Sequence, residues 1–183
     1  MAGFNRTLYE LVVAESDHGR AYWAERPWLS EDARENVRSA DVLIVPWVDF
    51  RPSHPILFPG GTSDVARRLT SDLTGRLSVA VAVEPEKYQE IELRADEWRL
   101  PTFFLSAIII PTFVQVLGNH IDRWLLTKPE EPTVQVELII ETTPDRCLSI
   151  KYKGPPSEAI KTIVEKVQAC TAPREGSKRA ARR

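Results

Sequence analysis

The feature that most limits how this chain can fold is Leu100–Ile121, LPTFFLSAIIIPTFVQVLGNHI, which holds no Asp, Glu, Lys or Arg across twenty-two positions. A helix needs about 20 apolar residues to cross a bilayer core, because each residue advances only about 1.5 Å. Trp98 and Arg99 stand at one end of the stretch, Arg123 and Trp124 at the other. An indole favours the headgroup level and a guanidinium snorkels to it, so these four residues are the expected membrane anchors. Two features oppose insertion. Pro111 would remove a backbone bond in mid-helix, and Gln115, Asn119 and His120 are polar. Three placements follow: a membrane-inserted or membrane-associated helix, a buried core helix or pair broken at Pro111, and an oligomer interface. The first leads, and it places the protein at the inner membrane facing the cytoplasm. The other two place it in the cytoplasm.

Periodicity organises the rest. Leu8–Ala14 reads as a first strand, Ser30 as the N-cap of a helix carrying Ala33, Val37 and Ala40, and Val42–Val45 as a buried strand. Trp47–Pro59 is a proline-rich loop. Val65, Leu69 and Leu73 fall on one helical face, and Leu77–Val83 reads as a third strand, buried. Strand, helix, strand, helix, strand predicts a small Rossmann-like parallel core. Gln89–Arg94 reads as a charged edge strand. After the apolar stretch and the Lys128–Pro132 linker, Val134, Val136, Leu138 and Ile140 alternate with polar residues, and Leu148, Ile150 and Tyr152 do so again. Ile160, Ile163, Val164 and Val167 then mark a helix.

The expected fold class is α/β, in four parts. Residues 1–96 form the α/β domain, 97–127 the long apolar helix, possible as a transmembrane span, 128–171 a β-hairpin plus helix, and 172–183 a disordered basic tail.

Chemical signals are sparse. The net charge of -2 gives no footing for a polyanion, so nucleic acid is not the expected partner. Two cysteines do not make a disulfide framework. The start of the chain lacks the basic-then-apolar pattern of a secretion signal. His18, His54 and His120 have no neighbour at metal-ligand spacing, so neither a metal nor a cofactor is expected. If the first two strands adjoin, His18 beside Asp17 and His54 near Asp49 meet at one sheet end as an acid–base pair. That condition is too open to assign catalytic residues.

Gly60, Gly61, Thr62 and Ser63 feed a helix after a strand, a place where backbone N–H groups can cradle a phosphate. The run resembles the Pro-Gly-Gly-Thr turn of Rossmann-like nucleotide-binding families such as the lysine-decarboxylase-like phosphoribohydrolases. It lacks their following Gly-Thr and downstream glutamate. The loop aromatics Trp23, Trp28, Trp47 and Phe50, interleaved with Arg20, Arg26 and Arg51, are the candidate partner-binding residues.

From Trp98 onward, the apolar stretch, the linker and VQVELIIETTPDRCLSIKYKGPPSEAIKTIVEKV resemble small bacterial accessory components found beside effectors in antiviral defence and other conflict systems. The likeness is one of pattern over about 75 residues of this chain. It implies an accessory or signalling component without catalysis of its own, acting through a protein partner. The alternatives are a soluble nucleotide- or phosphate-binding protein or enzyme using the glycine turn, and a homo-oligomer with the apolar helix as its interface.

Overall fold

The computed structural model describes residues 9–92, 97–128 and 132–171. The expected tail, the middle of the 128–132 linker, Leu8 and the end of the 89–94 strand lie outside them.

The strands are β1 (Glu10–Ser16), β2 (Val42–Val45), β3 (Trp47–Arg51), β4 (His54–Pro59), β5 (Val79–Val81), β6 (Glu90–Ile91), β7 (Glu97–Arg99), β8 (Thr102–Ser106), β9 (Thr133–Thr143) and β10 (Arg146–Gly154). The helices are α1 (Arg20–Ala24), α2 (Glu31–Ser39), α3 (Thr62–Leu73), α4 (Ile110–Leu125) and α5 (Pro156–Thr171). A seven-stranded sheet runs β1-β10-β9-β8-β2-β5, with β7 pairing β9 beyond the end of β8. A smaller sheet holds β3, β4 and β6.

The parallel Rossmann-like core is therefore corrected to a mixed sheet. β2 and β5 are parallel, but β8 lies antiparallel to β2, and β9 parallel to β8. β1 joins the far end, antiparallel to β10. Three strands separate it from β2, so the sheet end at which His18 and His54 were to meet does not exist. β5 sits at an edge, half-exposed, although Leu77–Val83 reads as a buried strand. Its small Ala and Val side chains cannot reveal which side a neighbour occupies. Trp47–Pro59 is a hairpin rather than a loop. Its prolines fall beside the turn or at the strand end, where a missing N–H is tolerated.

The long apolar helix, with its transmembrane option, is overturned as well. Among the described residues no helix is long and apolar enough to cross a membrane. The stretch divides into β8, whose Phe103, Phe104 and Leu105 are fully buried, and the sixteen-residue α4. At about 1.5 Å per residue a helix of that length falls short of the roughly 30 Å of a bilayer core. Pro111 lies in the first turn of α4, where its absent N–H costs nothing.

Alternation along the strands explains the two cores. Val42 and Ile44 enter one and Leu43 and Val45 the other. Phe103 and Leu105 likewise oppose Phe104. The first core is sealed by α3, α4 and α5 through Leu69, Leu73, Phe113, Leu117 and Ile163. Fully burying such a side chain contributes about 1.5–3 kcal/mol, and the charge-free stretch supplies nine of the 25 described buried residues of this core, from Leu100 to Ile121. The second core is smaller and lies under α1 and α2, with Trp23, Leu29 and Val37 packed on Phe104 and Ile139. The ββα segment falls where its alternation placed it, with β9 and β10 inside the large sheet.

Candidate functional site

α1 and α2 are short, and they cover only part of their face of the sheet. The remainder, over β1, β10, β9 and β7, is a groove of about 410 Å³ walled by Trp47 and Phe50 of β3. That volume lies in the range of ligand-binding clefts. The strand register dictates what lines it. Glu10 lies opposite Lys153, Lys153 opposite Gln135, and Gln135 beside Arg99. In the next row Val12 lies opposite Lys151 and Lys151 opposite Glu137.

These side chains are tied to one another. Lys153 Nζ is 3.0 Å from a Glu97 carboxylate oxygen, and Gln135 Nε2 donates to the other at 2.8 Å. The Lys153 ammonium, helped by Arg99, holds the Glu97 carboxyl below the usual carboxylate range. Glu137 accepts from the Ser149 hydroxyl at 2.9 Å and the Thr102 hydroxyl at 3.1 Å, with Lys151 Nζ at 3.7 Å. The Arg99 guanidinium lies 5.8 Å from the Trp47 ring centre, within cation–π range. Its Nε is buried without a hydrogen-bond partner. Val12 and Phe50 are 56% and 44% exposed, an unusual degree for large apolar side chains bordering one concavity. The groove thus offers paired charges, amide and hydroxyl groups and an aromatic wall. Its described lining holds no imidazole or thiol beside the hydroxyls of Thr102 and Tyr152.

Two of the four partner candidates, Trp47 and Phe50, meet here, with ring centres 5.3 Å apart. The other two do not. Trp23 is 2% exposed in the second core, and Trp28 Nε1 donates to the Ala82 carbonyl at 3.0 Å. The interleaved arginines also serve the fold. Arg20 donates to the Val37 and Ala40 carbonyls at the end of α2, and Arg26 lies over the Tyr22 ring.

The glycine turn is committed internally. Gly61 N–H and Ser63 N–H donate to the two Glu90 carboxylate oxygens at 2.9 and 2.8 Å, and Gly60 N–H donates to the Ile91 carbonyl. Thr62 is fully buried, its hydroxyl on the Pro59 carbonyl. Glu90 supplies the negative charge that the start of a helix favours, at the place where a phosphate would sit. Burial pushes its carboxyl up. Hydrogen bonds from the Tyr88 hydroxyl and the Ser63 and Gly61 amides outweigh that and leave it below its ordinary value. Partial burial and the neighbouring carboxylate raise the Tyr88 phenol in turn.

The expected membrane anchors also have internal partners. Trp98 and Trp124 stack on each other, Arg123 lies 3.7 Å from Asp72, and Arg99 faces the groove. His18 stacks on Tyr22, and His54 hydrogen-bonds Ser53. Among the described residues no group of His, Cys, Asp and Glu is arranged to hold a metal ion.

No family model, curated protein or solved structure matches this chain. The geometry of the molecule itself has to carry any functional reading.

Sequence reasoning missed Gln135, Glu137, Lys151 and Lys153. The signal was present, because the polar positions of two paired strands must share a face. Acids and an amide on β9 against lysines on β10 mark a charged ladder. What covered the ladder, and what left part of it open, was not visible.

Proposed function

We propose that this protein is a non-catalytic accessory component that binds an extended segment of a partner protein in the groove over β1, β10, β9 and β7. The observation that carries the reading is the lining. Glu10 and Glu137 stand among Arg99, Lys151 and Lys153, Lys153 is itself paired with Glu97 outside the lining, and Trp47, Phe50 and Val12 lie beside them. A nucleic-acid groove would carry an excess of positive charge. A peptide presents amide donors and acceptors, mixed charges and apolar side chains, and an interface for it is enriched in aromatic residues and Arg. The resemblance of the residues after Trp98 to conflict-system accessory components supports the same role. Two free thiols, Cys147 and Cys170, fit a reducing cytoplasm as the place of work.

Peptide display against the immobilised protein tests the reading. Enrichment is expected for peptides that carry both charges and an apolar anchor, and enrichment should vanish with Phe50→Ala and with Lys151→Glu. Enriched peptides indifferent to both substitutions would overturn it. Self-association abolished by Phe50→Ala would instead make the partner a second copy of this chain.

A further inference from the structure

We propose that the cleft between α3 and the C-terminal half of α4 binds a small aromatic acid, one or two planar rings carrying a carboxylate or phosphate. The cleft has a volume of about 280 Å³ and is walled by Trp98, Trp124, His120, Arg68 and Arg123. It lies on the opposite side of β7 from the groove, since Trp98 and Arg99 are consecutive strand residues and face opposite ways. Its size is at the lower limit of ligand pockets, which restricts the occupant to a ring or two.

Three independent features specify the chemistry. The stacked indoles of Trp98 and Trp124 offer a flat apolar wall at the cleft. Arg68 is exposed and makes no ion pair among the described residues, whereas the acids nearby are engaged: Asp64 pairs with Arg67 and Asp72 with Arg123. The positive charge left over favours an anion on the ligand. His120 is 7% exposed, lines the cleft, and its Nδ1 is buried with no hydrogen-bond partner. Buried polar groups are normally satisfied, so His120 is a cleft-lining side chain whose hydrogen-bonding capacity the fold leaves partly unused. Burial, then Arg68, lowers the affinity of this imidazole for a proton. The lowered proton affinity favours the neutral ring at pH 7, so His120 adds a polar, uncharged wall while Arg68 provides the free charge.

A ligand-observed NMR screen of the full chain with mono- and bicyclic aromatic carboxylates and phosphates, each matched with its neutral amide or alcohol, tests the site. Acids are expected to bind at least about tenfold more tightly than their neutral counterparts, which is about 1.4 kcal/mol. Arg68→Ala, an exposed substitution that leaves the fold intact, should remove that preference. The indole N–H resonances of Trp98 and Trp124, assigned through Trp98→Phe and Trp124→Phe, should shift on binding. Acids and neutral analogues binding alike, binding unaffected by Arg68→Ala, or no acid in the panel binding would each overturn the proposal. This outcome is independent of peptide binding in the groove, because none of the variants faces that side.

Discussion

Trp98 of β7 and Trp124 of α4 stack with ring centres 3.9 Å apart and planes 24° from parallel, joining the strand before the apolar stretch to the helix at its end. Trp98 also packs against the first core, with the His120 ring 5.7 Å from its own. Residues that look like two membrane interfaces in sequence are thus one contact in space. An aromatic pair contributes about 0.5–1.5 kcal/mol beyond area burial, so Trp98→Ala should cost about 2 kcal/mol with the lost area included. Urea unfolding checks this, and Trp98→Phe should recover part of the loss.

Glu90 tethers β6 to the start of α3 through Gly61 and Ser63. Glu90→Gln should destabilise by about 1 kcal/mol near pH 7, in the range of helix-capping losses. The folded carboxyl titrates below its ordinary 4.5, so the unfolded chain binds the proton more readily. The contribution is complete above about pH 4.5 and disappears as pH falls through the folded value. The gap between parent and variant in chemical unfolding should therefore close on acidification.

His120 and His18 both titrate below the ordinary 6.5, chiefly because of burial, with Arg68 and Arg26 respectively as the next cause. The unfolded state is again the better proton acceptor. Stability should be level above about pH 6.5 and fall as the solution is acidified through the folded values. Thermal unfolding followed from neutral to mildly acidic pH should show this slope, and His120→Gln should reduce it.

Gly154 ends β10 where a Cβ would lie 2.9 Å from the Tyr152 hydroxyl oxygen and 3.0 Å from Tyr9 Cα. Backbone is a neighbour that cannot swing aside. Gly154→Ala should cost about 1–3 kcal/mol by overpacking, visible as a lower denaturant midpoint at unchanged slope.

Local signals were readable where they needed no knowledge of neighbours. Ser30 caps α2 through Ala33 N–H, and the alternation from Val134 to Tyr152 gives β9 and β10. Val65, Leu69 and Leu73 are buried on α3 as their spacing requires. What failed was long-range pairing. An apolar run such as Thr102–Ser106 suits a strand buried on both faces as well as it suits a helix, and Phe103 and Phe104 do enter opposite cores. Only the neighbours β2 and β9 decide between them. The candidate groove failed to show for the same reason, because Lys153 and Arg99 flank Gln135 through strand register and not through sequence proximity. The glycine turn shows the converse. Its phosphate-binding look came from local sequence, while Glu90, about thirty residues on, satisfies the same N–H groups.

The groove is the central claim, and one binding measurement addresses it most directly. A fluorescently labelled peptide enriched by display should be titrated by polarisation into the parent chain, Phe50→Ala, Lys151→Glu and the surface control Arg67→Ala. Phe50 is exposed at the groove wall and Arg67 is exposed on α3, so neither substitution should disturb the core. The account predicts affinity at least about tenfold weaker for Phe50→Ala and Lys151→Glu, corresponding to about 1.4 kcal/mol each, and unchanged for Arg67→Ala. Equal affinity in all four proteins would contradict it.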